Sequence, residues 1–199
     1  MTQDEKGKRE KKSAVFLDRD GTIITDKHFL SDPDLVEILP GAVEGIRILN
    51  ECGIPVVVVS NQSGVARGYF GIDAVDAVNN RIAQIFSERG AKIDKFYFCP
   101  HHPEGEVEEF KKECDCRKPK TGMAEKASKE LCINLKKSFV VGDKISDLEF
   151  AKNIEAKAIL VRTGEGSITE SEIGIGDVCA VFDTFSGAVE FIVRSLENK

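Results

Sequence analysis

The sequence predicts an α/β protein built on a doubly wound parallel sheet. Three observations carry this. Short, continuously apolar runs alternate with segments of helical periodicity, as strands covered on both faces alternate with the helices that cover them. Right-handed crossovers let such a chain wind to both sides of its first strand, a Rossmann-like arrangement. The unusual polar residues fall at the carboxyl ends of the apolar runs, where open sheets of this kind hold their ligands.

The elements follow in order. Residues 14–17 are apolar and stop at Asp18, which makes a buried first strand. Residues 41–51 place Val43, Ile46, Ile48 and Leu49 near helical spacing, and Gly53 follows as a stop signal. Residues 55–59 read Pro-Val-Val-Val-Val, a second strand ended by Ser60-Asn61-Gln62. Residues 73–89 repeat Val75, Val78, Ile82 and Ile85 as an amphipathic helix that closes at Gly90. A third strand, 96–98, runs into Cys99. Residues 99–121 hold three prolines, many charges and no periodicity; a loop of that length inside a domain is usually functional. A helix is expected over 122–131, a strand over 139–141 ending at Gly142-Asp143, and a short helix over 148–153. A strand at 158–161, a weaker one at 178–182 and a terminal helix at 185–196 complete the chain.

Length and charge narrow the function classes. At 199 residues, 41% hydrophobic and 31% charged, the chain suits one compact domain, expected over 13–199. Residues 1–12 carry five basic and three acidic side chains, net +2, and read as a flexible polar tail. The net charge of −6 argues against nucleic acid and anionic membrane surfaces as partners. No apolar run approaches the ~20 residues of a membrane span, and the lysine-rich start lacks the apolar stretch of a secretory signal. A cytoplasmic monomer is the expectation. Of the six cysteines, Cys99, Cys114 and Cys116 cluster with histidines, whereas Cys52, Cys132 and Cys179 sit among apolar residues and read as small core residues.

The strand ends carry the chemistry. Asp18-Arg19-Asp20-Gly21-Thr22 sets two carboxylates two residues apart at the end of a buried strand. Asp-Gly alone is an ordinary turn pair. Unpaired charge leaving so buried a strand is costly, however, and a hard cation such as Mg²⁺ removes that cost. A second acidic cluster, Gly142-Asp143-Lys144 with Asp147, ends another strand. Magnesium beside a free carboxylate points to phosphoryl transfer, with one carboxylate attacking phosphorus and its neighbour moving the proton. Ser60, Asn61, Arg117 and Lys118 supply the hydroxyl, amide and positive charge that such a reaction needs.

Within the loop, Cys99-x-His101 and Cys114-x-Cys116 give three thiolates and an imidazole in two tight pairs, the ligand set of a closed structural zinc site. Spacing alone leaves His102 open as a substitute for His101. Zn²⁺ there would fix Arg117 and Lys118, which follow the last ligand directly, and its four protein ligands would leave no position for an activated water.

Asp18-Arg19-Asp20-Gly21-Thr22, Ser60-Asn61-Gln62, Lys118-Pro119 and Gly142-Asp143-Lys144-Ile145-Ser146-Asp147 resemble the four ordered motifs of the haloacid-dehalogenase superfamily of phosphatases. The resemblance spans residues 14–166. The segments 61–70, 99–103 and 114–119 are further similar to the bacterial D-glycero-D-manno-heptose 1,7-bisphosphate 7-phosphatases, which act in nucleotide-activated heptose synthesis for lipopolysaccharide or surface glycans. The resemblance implies a haloacid-dehalogenase-like fold without a large cap, with Asp18 as nucleophile and Asp20 as general acid/base. It implies magnesium held by Asp18, the Asp20 carbonyl and Asp143, and phosphoryl stabilisation by Ser60, Arg117 and Lys118. It favours His101 as the zinc ligand. Asn61, Gln62, Ser63, Lys144 and the segment Asp26-Lys27-His28-Phe29 would meet a small phosphorylated sugar, although the family pattern at the last segment is Asp-x-Gly-Tyr. Histidinol-phosphate phosphatase shares the motifs and the zinc loop, and a zinc-clamped binding module without catalysis is the reading of a different class.

Overall fold

The apolar runs become strands because β-branched and aromatic side chains fill both faces of one sheet. The computed structural model describes residues 11–174 and 176–197. Val15–Leu17 (β1), Val56–Asn61 (β2), Lys95–Cys99 (β3), Phe139–Gly142 (β4), Lys157–Val161 (β5) and Ala180–Phe182 (β6) form a parallel sheet of order β3-β2-β1-β4-β5-β6. Val15 pairs with Val56 on one side and Phe139 on the other. The chain therefore winds outward from β1 in both directions, and the crevice between the ends of β1 and β4 is its topological switch point.

The strands' period of two divides the core. Val15, Leu17, Val56, Val58, Phe139 and Val141 face the helices Ala42–Glu51 (α1), Ile72–Glu88 (α2) and Phe185–Glu197 (α6). Ala14, Phe16, Val57, Val59, Val140 and Leu160 face Gly122–Leu131 (α3) and Ile145–Asn153 (α4). Each large aliphatic or aromatic side chain buried this way contributes about 1.5–3 kcal/mol. The six strand ends are thus set on a rigid base.

The structure departs from the sequence reading at several places. β2 runs two residues further, so Ser60 and Asn61 lie within the strand and pair with Phe98 and Cys99. α4 begins at Ile145, directly after Lys144, because the Asp147 carboxylate caps the Lys144 amide at 3.1 Å. A further helix, Gly166–Glu172 (α5), was not expected; it buries only Gly166 and Thr169 and shows no apolar stripe. The lone cysteines are not core residues. Cys52 and Cys179 are exposed and Cys132 is half-buried, Cys52 and Cys132 having fallen just beyond the last turns of α1 and α3.

Of the expected polar tail, residues 1–10 lie outside the described residues. Lys12 is already tied to the fold, its amide donating to the Cys132 carbonyl at 3.0 Å and its carbonyl accepting from Asn134 at 2.8 Å. Between β1 and α1 there is a short flap with one 3₁₀ turn, Pro33–Leu35, and no cap domain. No helix among the described residues is long and apolar enough to cross a membrane.

Candidate active site

A cavity of about 270 Å³ opens at the switch point, lined by residues from four strand ends, the flap and the long loop. Asp18, Asp20, Asp26, His28, Phe29, Asn61, Gln62, Ser63, Arg117, Lys118 and Lys144 from the sequence reading line it. Lys27 does not; its ammonium turns away to Glu37 at 3.3 Å. Ser60 and Asp143 are buried and sit outside the lining.

Carboxylate oxygens of Asp18, Asp143 and Asp147 lie within 4.8 Å of one another, all buried. Lys118 enters this cluster from the loop. Its Nζ donates to Asp18 Oδ1 at 2.8 Å, Asp147 Oδ1 at 2.6 Å and the Val59 carbonyl at 2.7 Å. Burial opposes its charge, yet Asp147 and Asp18 outweigh burial and raise its pKa. Burial, with the negative charges of Asp18 and Asp147, pushes Asp143 up to about 8. Burial likewise pushes Asp147 up to about 6 against the pull of Lys118. The sequence places Asp147 in the second acidic cluster and at the end of the fourth motif but gives it no role of its own; its pairing with a lysine 29 residues away has no local signal.

Asp143 is held from several sides. Its Oδ1 accepts from the Thr22 hydroxyl at 3.2 Å and its Oδ2 from the Glu165 amide at 2.9 Å. Gly21 and Gly164 close around it with φ of 87° and 57°, and a Cβ on either would overlap the carboxylate. Among the described residues, Ser60 Oγ is buried with no hydrogen-bond partner. Such an orphaned hydroxyl at a strand end marks a place for a ligand oxygen.

Asn61 clasps the backbone of Lys118 in both directions, accepting from its amide at 2.9 Å and donating to its carbonyl at 3.1 Å. Gln62 Nε2 donates to Asp20 Oδ2 at 3.0 Å. Lys144 is paired with Asp26 at 2.9 Å and with Glu165 at 3.5 Å. Burial works against its charge, but Asp18, Asp26 and Asp143 keep it firmly protonated. Burial alone would raise the Asp26 pKa; donation from the His28 amide and Lys144 holds it below the usual value. Glu165 is a cavity residue the sequence reading did not name.

The long loop is organised around its four expected ligands. Cys99, Cys114 and Cys116 bring their sulfurs within 3.2–3.5 Å of one another, and His101 Nδ1 lies 3.3 Å from Cys116 Sγ. Donation from Cys99 pushes the Cys116 thiol down to about 5, with His101 and Cys114 adding to the effect. His102 faces elsewhere, toward Arg67 at 3.4 Å. The set matches tetrahedral zinc in donor type and number, and Arg117 and Lys118 follow at once. Arg117 donates to the His101 carbonyl at 3.4 Å. The same loop braces the 62–70 loop, whose Ala66 carbonyl accepts from Glu106 and Val107 at 2.7 and 2.9 Å. Tyr69 of that loop meets Phe29 of the flap edge-to-face, with ring centroids 4.8 Å apart.

Comparison with known proteins agrees with this geometry. The model of HAD-like hydrolases matches residues 115–185. The D-glycero-beta-D-manno-heptose-1,7-bisphosphate 7-phosphatase of Yersinia pestis is 42% identical over 161 residues, covering 80% of this chain and 85% of the relative. That of Haemophilus influenzae is 42% identical over 165 residues, covering 82% and 89%. Among solved structures, the D,D-heptose 1,7-bisphosphate phosphatase of B. bronchiseptica, complexed with magnesium and phosphate, superposes with a TM-score of 0.83 at 29% identity over 92% of this chain and 99% of that one. With relatives this similar over nearly their whole length, and with the phosphatase motifs gathered at one switch point, the chain belongs to the D-glycero-β-D-manno-heptose-1,7-bisphosphate 7-phosphatase family of HAD-like hydrolases.

Proposed function

We propose that this phosphoric monoester hydrolase removes the C7 phosphate of D-glycero-D-manno-heptose 1,7-bisphosphate through an aspartyl-phosphate, using Mg²⁺ at Asp18 and Asp143. The observation that carries the reading is the buried cluster of Asp18, Asp143 and Asp147 around Lys118. Three carboxylates face one ammonium there; with all three ionised, the two charges left over match one divalent cation. When bound, magnesium supplies charge neutralisation between the attacking carboxylate and the phosphoryl oxygens.

The chain's own residues do the rest. Asp18 attacks phosphorus as the bond to the sugar oxygen breaks, and Asp20 gives that oxygen its proton. In the second half Asp20 takes a proton from water, the water oxygen bonds to phosphorus, and the Asp18–phosphorus bond breaks. Lys118, Arg117 and the unpartnered Ser60 hydroxyl stabilise the phosphoryl oxygens. Asn61 holds the Lys118 backbone in place. Zinc on Cys99, His101, Cys114 and Cys116 is a structural clamp for Arg117. Six cysteines, none in a disulfide, suit the reducing cytoplasm, where the enzyme would act as a monomer on its small phosphorylated sugar.

The domain organisation goes with this reading: a polar tail, then one phosphatase domain carrying the zinc loop at 99–118. The test is magnesium-dependent phosphate release on two substrates. A higher kcat/KM for the heptose bisphosphate than for histidinol phosphate is expected. The reverse order would assign the other substrate, and no release from either would leave a binding module.

A further inference from the structure

Arg19, which lies between Asp18 and Asp20 in sequence, is the largest fully buried side chain among the described residues. Its guanidinium forks onto Asp20: Nε donates to Oδ2 at 3.0 Å and Nη2 to Oδ1 at 3.1 Å. The third nitrogen, Nη1, donates to Asn79 Oδ1 at 3.0 Å. Asn79 sits in α2 among Val75, Val78 and Ile82, a buried amide on an otherwise apolar face. A buried amide in that position asks for a partner, and Arg19 is it.

We propose that Arg19, anchored by Asn79, is the positioning residue for the acid/base carboxylate: it fixes the plane of Asp20 and selects the oxygen that carries the transferable proton. A carboxylate oxygen accepts at two lone pairs. Asp20 Oδ2 has both filled, by Arg19 Nε and Gln62 Nε2. Among the described residues Oδ1 accepts one bond, from Arg19 Nη2, which leaves its second lone pair open. Asp20 lines the cavity, so that lone pair is where the proton sits before it passes to the leaving oxygen and where a water proton is collected afterwards. A planar fork is what orients a carboxylate in this way; a lysine ammonium has no such geometry. Neither Arg19 nor Asn79 lines the cavity, so they act through Asp20 and not on substrate.

The inference rests on Asp20 being the acid/base, and the test separates the two claims. The sugar bisphosphate has an alkoxide leaving group that needs the proton; nitrophenyl phosphate has one that leaves without it. Asp20→Asn should lose far more kcat on the sugar than on the aryl ester. Asn79→Leu, which keeps volume but removes the acceptor for Arg19, should lower kcat on the sugar roughly tenfold with KM little changed, and leave the aryl ester within about twofold. Asn79→Asp keeps an oxygen at the same place and should restore the leaving-group pattern of the native enzyme. Arg19→Lys should behave like Asn79→Leu; should it fail to fold, the two Asn79 variants carry the test. Equal losses on both substrates for Asn79→Leu, or none, alongside a selective Asp20→Asn, would overturn the positioning role. A non-selective Asp20→Asn would instead overturn the acid/base reading beneath it.

Discussion

Asp147→Asn is the perturbation that most directly probes the buried charge cluster. Asp147 uses one oxygen for the Lys118 ammonium at 2.6 Å and the other for the Lys144 amide at 3.1 Å. An asparagine has one acceptor oxygen, so it must give up either the ammonium or the helix cap. Unit charges 2.6 Å apart attract by roughly 6 kcal/mol at an effective dielectric of about 20. Much of that is offset by the cost of burying both groups, and removing one partner of a buried pair typically costs about 3–5 kcal/mol. Lys118 keeps Asp18 and the Val59 carbonyl, which brings the expected loss to or below the bottom of that range, about 2–3 kcal/mol. For a domain of this size that is a fall of about 5–10 °C in Tm. The ammonium also loses the anchor that holds it against Asp18, so kcat should fall roughly 10- to 100-fold, about 1.4–2.7 kcal/mol of barrier. Thermal unfolding and steady-state phosphate release read the two effects separately. A variant with native Tm and kcat within about twofold of the native enzyme would refute the idea that Asp147 holds Lys118 in its working place.

Four further outcomes follow from the same geometry. Asp18→Asn, whose amide cannot attack phosphorus, should keep the fold by circular dichroism and retain less than about a hundredth of kcat; retention above about a tenth would remove Asp18 as nucleophile. Gly164→Ala sets a side chain against the Asp143 carboxylate at a φ of 57°, and should raise the magnesium concentration needed for half-maximal rate about tenfold or more, measured by titration of activity. Chelation should abolish activity reversibly on adding magnesium back, while elemental analysis of the purified protein finds close to one zinc per chain; zinc-free protein with native Tm and full activity would sink the clamp. Arg117→Ala should raise KM for the bisphosphate more than for nitrophenyl phosphate, and Lys118→Ala should lower kcat on both; equal effects of Arg117→Ala on the two substrates would make it a general phosphoryl stabiliser.

The sequence made the framework of the fold readable because a parallel sheet leaves such a plain trace: Val56 to Val59 are buried on both faces and apolar without a break. Elements that bury little leave little trace, and α5, with only Gly166 and Thr169 inside, went unseen. The strand-end carboxylates and the Cys/His pairs were legible because their chemistry is local and closely spaced. What stayed hidden was long-range polar pairing. Nothing near Arg19 in sequence signals that it meets Asn79, 60 residues on, and nothing near Asp147 signals Lys118. The assignment of Cys52 and Cys132 to the core failed for a related reason: an apolar neighbourhood in sequence does not say which side of a helix end a residue falls on; Cys179, just before the edge strand β6, is exposed as well.

The mouth of the cavity has one more consequence. Its three walls lean on one another: the zinc loop on Ala66 through two backbone hydrogen bonds, and Tyr69 on Phe29 through their rings. A rim joined in this way is shaped before anything arrives. Such an enzyme chooses its substrate as a sieve does, by what passes an aperture of fixed outline, and not as a trap does, by closing on what it has caught. Its selectivity should therefore change in steps, as single residues around that outline are exchanged, while the carboxylates beneath go on with the same chemistry.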